Sequence, residues 1–270
     1  MKITFLGGGN MANALIGGLL NKGVPATDIA VVEINEAGRE RLKQTYGVRC
    51  CAEVNASALD CDVLLLAVKP QQMRKACEPL PRYLGRQLVL TIAAGLRLSD
   101  LSRWLGGYGK LVRAMPNTPA LIGSGMTGLF ALPSVSEADR RGAERIMQAI
   151  GQIVWVNDEA QIDAITAISG SGPAYVFLFI EALQEAAARL GFNEKQARLL
   201  SIETVLGAAR LAMNSDEPPS ILRERVTSKA GTTEAALDVM IRCGLKSIVM
   251  ESAAAACARS GEIGRELGEN

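Results

Sequence analysis

The strongest constraint on this chain lies at its start. A short apolar run, Lys2–Leu6, ends in three consecutive glycines and gives way at once to an amphipathic segment, Met11–Lys22. Such a run stopping at Gly7-Gly8-Gly9 predicts a buried strand, a tight turn and a helix, the first half of a βαβ unit. The pattern then repeats. Candidate strands follow at Ile29–Val32, Val63–Val68, Leu88–Ile92, Leu111–Ala114, Met126–Ala131 and Ile153–Val156, with candidate helices at Ala37–Tyr46, Pro70–Leu80, Leu98–Leu105 and Glu137–Ala149. Strands alternating with amphipathic helices predict α/β architecture, a doubly wound, Rossmann-type parallel sheet with helices on both faces.

From about Asp158 the character changes. Long Ala- and Leu-rich segments, Glu159–Ser169, Pro173–Leu190, Asn193–Met213, Ser220–Val226, Thr232–Cys243 and Leu245–Ser260, predict an all-helical second half. A length of 270 residues accommodates two modest domains, expected here as 1–158 and 159–270. Within the second, Ala174–Ile180 is apolar on every face of a helix, and such a helix must be covered on all sides. A helical domain of about 110 residues rarely achieves that alone. A second copy of the chain is therefore expected to cover it, giving a homodimer with interlocked C-terminal domains.

Composition narrows the chemistry. There is no histidine, which excludes Ser-His-Asp and Cys-His triads, histidine-ligated zinc and imidazole acids. The six cysteines, Cys50, Cys51, Cys61, Cys77, Cys243 and Cys257, show no C-x-x-C spacing, so no metal ribbon or redox pair is expected and a reduced compartment fits. Lys and Arg total 29 against 28 Asp and Glu, a net +1, and aromatic residues make up 4%. A nucleic-acid partner is not expected from that balance. No signal peptide or stretch of about 18 uncharged apolar residues is read, so no membrane partner and a cytoplasmic location are expected.

In its context the opening reads as G-x-G-x-x-A. Gly7 allows the tight turn, Gly9 lets the backbone approach a pyrophosphate, and Asn10 and Met11 open the helix whose positive end faces that charge. Glu33 ends the second candidate strand, twenty-four residues after Gly9, where a carboxylate accepts hydrogen bonds from the adenosine ribose and repels a 2′-phosphate. The expected cofactor is a dinucleotide, preferred in the form without a 2′-phosphate. Further loops leave the C-terminal ends of candidate strands, the ligand-binding edge of an open parallel sheet. They supply Ala67, Val68, Lys69 and Pro70, then Ala93, Ala94 and Gly95, then Asn117 of Met115-Pro-Asn-Thr-Pro119, with Asn55 as a weaker candidate.

Taken together, Gly-Gly-Gly-Asn-Met-Ala, Ala-Val-Lys-Pro-Gln, Met-Pro-Asn-Thr-Pro, Ala167-Ile-Ser-Gly-Ser-Gly-Pro-Ala-Tyr175 and Arg225-Val-Thr-Ser-Lys-Ala-Gly-Thr-Thr233 resemble the pyrroline-5-carboxylate reductase family over essentially the whole chain. The last two motifs are the specific ones. The resemblance implies reduction of a cyclic imine to L-proline by NADH or NADPH, a C-terminal domain for substrate binding and dimerisation, and assembly into rings of dimers. It also implies that Thr233 meets the ring nitrogen as the catalytic hydroxyl, while Ser228, Gly231 and Thr232 hold the carboxylate and Ser171 and Gly172 approach substrate. Where the family usually carries glycine after Ser-Pro or Ser-Lys, this chain has Ala230, a residue that resists positive φ. An acidic residue about ten positions before Val226 is Asp216 or Glu217, and the spacing does not separate them.

Two other readings are weighed against this one. A hydroxyacid dehydrogenase of related architecture needs a lysine on the helix after Gly172, where Val176 and Phe177 stand instead. A cofactor-binding regulator without turnover would have no need of an intact Ser228–Thr233 segment.

Overall fold

The computed structural model describes residues 1–269, which fall into two compact units. The first contains residues 1–171 together with the C-terminal stretch from Ala255; the second is Gly172–Ala254.

The first unit is built on one eight-stranded sheet: β1 (Ile3–Leu6), β2 (Ile29–Val32), β3 (Arg49–Cys51), β4 (Val63–Leu66), β5 (Leu88–Thr91), β6 (Leu111–Met115), β7 (Gly125–Ala131) and β8 (Gly151–Trp155). Its helices are α1 (Asn10–Asn21), α2 (Glu36–Tyr46), α3 (Pro70–Cys77), α4 (Leu98–Trp104), α5 (Glu137–Met147) and α6 (Gln161–Ile165). The strand order is β3-β2-β1-β4-β5-β6-β7-β8, and every pair is parallel except β6 with β7. That departs from a purely parallel sheet, because β6 reaches β7 through a short turn rather than a crossover helix.

Strands β1, β2, β4 and β5 are buried along their full length. They read as unbroken apolar runs because both faces are covered. Ile3, Phe5, Val63 and Leu65 face one core, closed by Leu15 and Leu19 of α1 and Ile146 of α5. Leu6, Leu64 and Leu66 face the other, closed by Met73 and Cys77 of α3 and Leu101 of α4. Burial pushes the Cys77 thiol up to about 12 and raises that of Cys61, so both pack as neutral groups. All six cysteines are free.

Residues Thr166–Gly170 continue from α6 as one π-helical turn. The second unit then holds α7 (Gly172–Arg189), α8 (Glu194–Met213), α9 (Pro219–Arg225), α10 (Thr232–Arg242) and the start of α11 (Leu245–Glu269), whose last turns belong to the first unit. Helices α7 and α8 pack on each other. Their remaining apolar faces lie open: Phe177 is 65% exposed, Leu178 67% and Met213 78%. The run Gln161–Arg189 is long and apolar enough to cross a membrane by length and composition alone. An exposed apolar surface of this extent on a helical pair marks an interface.

Candidate active site

Because β1 pairs in parallel with both β2 and β4, the turns leaving all three strands meet at one edge. There they surround a cavity of about 630 Å³, walled by Gly7–Gly9, Glu33, Ala67, Val68 and Lys69 among others. Gly7 adopts φ +99°, and a Cβ there would stand 3.0 Å from the Ala67 backbone and Val68 Cγ1. A Cβ on Gly8 would stand 2.6 Å from Leu42 Cδ1. Around Gly9, the N-cap of α1, a Cβ would meet nothing within 4 Å. No side chain caps that helix end and its first turn holds no acid, so its backbone donors stand open to an anion. An open glycine cradle at a bare helix N-terminus fits a dinucleotide pyrophosphate.

Glu33 closes the turn. Its Oε2 accepts from the Gly8 N–H at 2.8 Å and its Oε1 from the Asn35 N–H at 2.8 Å. The nearby Arg39 guanidinium donates to the Glu33 and Ile34 carbonyls at 2.8 and 2.9 Å, and so is held on the main chain. Asn13 braces the glycines from within α1, its Nδ2 donating to the Gly8 and Gly9 carbonyls at 2.8 Å each.

The remaining sequence candidates fall in several places. Asn10 and Met11 form the first turn of α1, and Pro70 is the first residue of α3. Asn55 spends its side chain locally, accepting from the Ala58 N–H at 2.9 Å and donating to the Glu53 carbonyl at 3.3 Å. Ala93–Gly95 follow β5, with Gly95 at φ +79°. Asn117 acts as a brace: its Oδ1 accepts from the Met126 N–H at 2.9 Å and its Nδ2 donates to the Ser169 carbonyl at 3.1 Å. It thereby ties the Met-Pro-Asn-Thr-Pro turn to the π-helical turn, which the Ser171 N–H closes by donating to the Thr166 carbonyl at 2.8 Å. Gly172 opens α7. Wall residues not anticipated from sequence include Ile34, Glu53, Val54, Gln72, Lys75 and Arg82; of these only Ile34, adjoining Glu33, carried a signal in its position. Among the described residues no cluster of three acids or cysteines is placed to hold a metal.

In the second unit, Ser228, Gly231, Thr232 and Thr233 do come together. The Gly231 N–H donates to the Ser228 carbonyl at 3.0 Å, and Gly231 caps α10 with no side-chain hydrogen bond. A Cβ on Gly231 would collide with Ser228 Oγ. Ala230 sits at φ +59°, the lone non-glycine with positive φ among the described residues, and its N–H donates to Glu234 Oε2 at 2.6 Å. The chain thus adopts at alanine the conformation for which glycine is favoured. Of the two acids upstream, Glu217 accepts from Arg225 Nη2 at 2.6 Å.

Comparison with known proteins agrees with this geometry. Residues 159–263 match the family model described as pyrroline-5-carboxylate reductase dimerisation, and residues 2–95 match that described as NADP oxidoreductase coenzyme F420-dependent. A pyrroline-5-carboxylate reductase of Pseudomonas aeruginosa is 43% identical over 270 residues, 99% of this chain and 98% of the relative. The chain belongs to the pyrroline-5-carboxylate reductase family. Among solved structures of this family, that from Coxiella burnetii is 42% identical with a TM-score of 0.93, covering 97% of this chain and 98% of that one. The Plasmodium falciparum enzyme, solved with NADP bound, is 29% identical with a TM-score of 0.86, covering 98% of each chain.

Alanine in the left-handed region costs about 1–2 kcal/mol, partly offset by the extra freedom that glycine loses on folding. Ala230→Gly should therefore raise the thermal midpoint by about 2 °C, read by circular dichroism; a lower midpoint would contradict the strain.

Proposed function

We propose that this chain reduces 1-pyrroline-5-carboxylate to L-proline with NADH or NADPH, the last step of proline biosynthesis, as an oxidoreductase acting on a C=N bond. The carrying observation is the start of α10, an uncapped glycine followed by two threonines in the first turn, in a chain of this family.

In this reading the backbone of Gly7, Gly9, Asn10 and Met11 receives the pyrophosphate, and Glu33 the adenosine ribose hydroxyls. Asn55, Ala67, Val68, Lys69, Pro70, Ala93, Ala94 and Gly95 line the rest of the nucleotide's path, and Asn117 acts on it through Ser169. When bound, the dinucleotide supplies the hydride that reduces the C=N carbon.

The chain's own task is to bind, orient and exclude water. The substrate carboxylate lies on the open N–H groups at the start of α10, with Ser228, Gly231 and Thr232 around it. Ser171 and Gly172 approach the substrate from the start of α7. The substrate enters already protonated, and its ring N–H donates to the Thr233 hydroxyl oxygen. No protein acid has to deliver a proton, which is how a chain without histidine performs the reduction. Orientation of bound reactants supplies on the order of 7–11 kcal/mol in favourable cases. Glu217, engaged by Arg225, is held in place beside α9, whereas Asp216 has no role in this scheme.

The exposed apolar faces of α7 and α8 are the surface that a second copy covers. The half 159–270 serves as the substrate and dimerisation domain and 1–158 as the nucleotide domain, except that 159–171 and the turns of α11 from Ala255 belong to the compact unit of the nucleotide domain. A homodimer follows from that surface, and rings of such dimers rest on the likeness to the family. A cytoplasmic location suits a biosynthetic enzyme with six free cysteines.

Thr233→Ala should lower kcat/KM for pyrroline-5-carboxylate by about tenfold or more, a loss of about 1.4 kcal/mol; steady-state rates equal to the parent's would remove Thr233 from the site. Because Glu33 is fixed by two backbone donors, NADH should give the higher kcat/KM. An equal or better value with NADPH would contradict that preference.

A further inference from the structure

We propose that the last turns of α11 are a positioning element for the nucleotide half of the site, fixing the Ala93–Gly95 loop by direct packing and through a buried charge network. This rests on the reading above that the loop contacts the dinucleotide.

Ser260, Gly264 and Gly268 recur at every fourth residue and so share one face of α11. That face lies against the segment after β5. A Cβ on Gly264 would stand 2.7 Å from the Gly95 carbonyl oxygen, and a Cβ on Gly95 2.6 Å from Ile263 Cγ2. Both distances are shorter than real side chains allow, so Gly264 meets the Gly95 backbone and Gly95 in turn meets the Ile263 side chain with no room for a Cβ on either glycine. Farther along, Arg103 Nη2 donates to the Gly268 carbonyl at 2.7 Å.

Ser260 adds a polar link. Its Oγ donates to Asp163 Oδ1 at 2.9 Å. Asp163, 5% exposed, also accepts Arg97 Nη2 at 2.6 Å and Arg113 Nη2 at 3.3 Å. Arg113, 1% exposed, reaches Glu159 Oε1 at 3.1 Å, and the same oxygen accepts from the Leu98 N–H at 2.8 Å. Residues 95–98 are thus held at three points: Gly95 by α11, Arg97 by Asp163, and Leu98 by Glu159. Buried ion pairs add little net stability once desolvation is counted, and in some systems they serve to specify geometry. A network that converges on one loop beside the cofactor edge therefore acts on the loop's position.

The test uses full-length oligomeric protein carrying Gly264→Ala, which sets a methyl against the Gly95 carbonyl. NADH affinity is read by nicotinamide fluorescence, and exchange of the 93–98 amides by hydrogen–deuterium mass spectrometry with and without NADH. The expected result is NADH binding weakened by about fivefold or more, faster exchange at 93–98 in the free protein, and KM for NADH raised while kcat at saturation stays within about twofold. A purely structural role would lower the thermal midpoint and leave NADH affinity in the folded protein unchanged. If NADH protects the parent's 93–98 amides and yet the folded variant binds NADH as the parent does, the proposal is overturned. If NADH gives the parent no such protection, the loop assignment beneath it fails, and the proposal with it. Should Gly264→Ala not fold, Ser260→Ala serves: weaker NADH binding that Ser260→Thr restores supports the proposal, and unchanged binding overturns it.

Discussion

Parallel pairing of β1 with strands on both its sides is the constraint from which the site follows. Parallel neighbours must be joined by crossovers, so their C-terminal ends share one edge. The chain crosses to β2 on one side of β1 and to β4 on the other, and a crevice opens where that direction reverses. The glycine turn, Glu33 and the Ala67–Lys69 turn are therefore neighbours, although Gly9 and Ala67 lie 58 positions apart. Backbone donors at the start of α1 face the same crevice. The Gly8–Glu33 hydrogen bond then locks turn and strand end together.

In the proposed function a second helix N-terminus, the start of α10, carries the other half of the chemistry. The start of α10 shares with α1 a glycine N-cap without a side-chain cap, and adds two threonines and one acid, Glu234, which accepts from the Ala230 N–H. With no imidazole in the chain, proton transfer in the neutral range is left to the substrate itself, and an iminium carbon accepts hydride without help from a strong acid. Binding geometry becomes the main variable the protein controls. This explains why so much polar structure serves to hold loops. Asn13 grips the glycines, Asn117 joins two turns, and Asp163 and Glu159 hold the segment after Gly95.

The layered fold was legible because its central strands are buried on both faces and punctuated by glycine and proline. Strand β3 was not, since three residues beginning with Arg49 at a sheet edge carry no apolar run. The antiparallel β7 was read as a strand, but its direction depends on the turn before it and leaves no periodic trace. Helix α11 runs beyond its expected end at Ser260, because Gly261, Gly264 and Gly268 read as breakers although tertiary contact needs Gly264 and Gly268 small. The glycine-turn residues and Glu33 were legible from local spacing. The work of Asn117 was not, since Ser169 lies 52 residues away. Likewise the partners of Arg113 are 46 and 50 residues distant, and sequence spacing says nothing about pairs so far apart. The φ of Ala230 is the opposite case: the family motif pointed to it, and the chain accepts the strain.

In the proposed function the substrate brings its own proton and the protein only clamps it. The most direct test is the pH dependence of kcat/KM for total pyrroline-5-carboxylate at saturating NADH, set beside an NMR titration of the free substrate's ring nitrogen. The rate constant should decline above a single midpoint equal to the free substrate's pKa, with the same midpoint in Thr233→Ala. A midpoint displaced by about one unit or more, or one that moves with that substitution, would mean that a protein group delivers the proton and would contradict it.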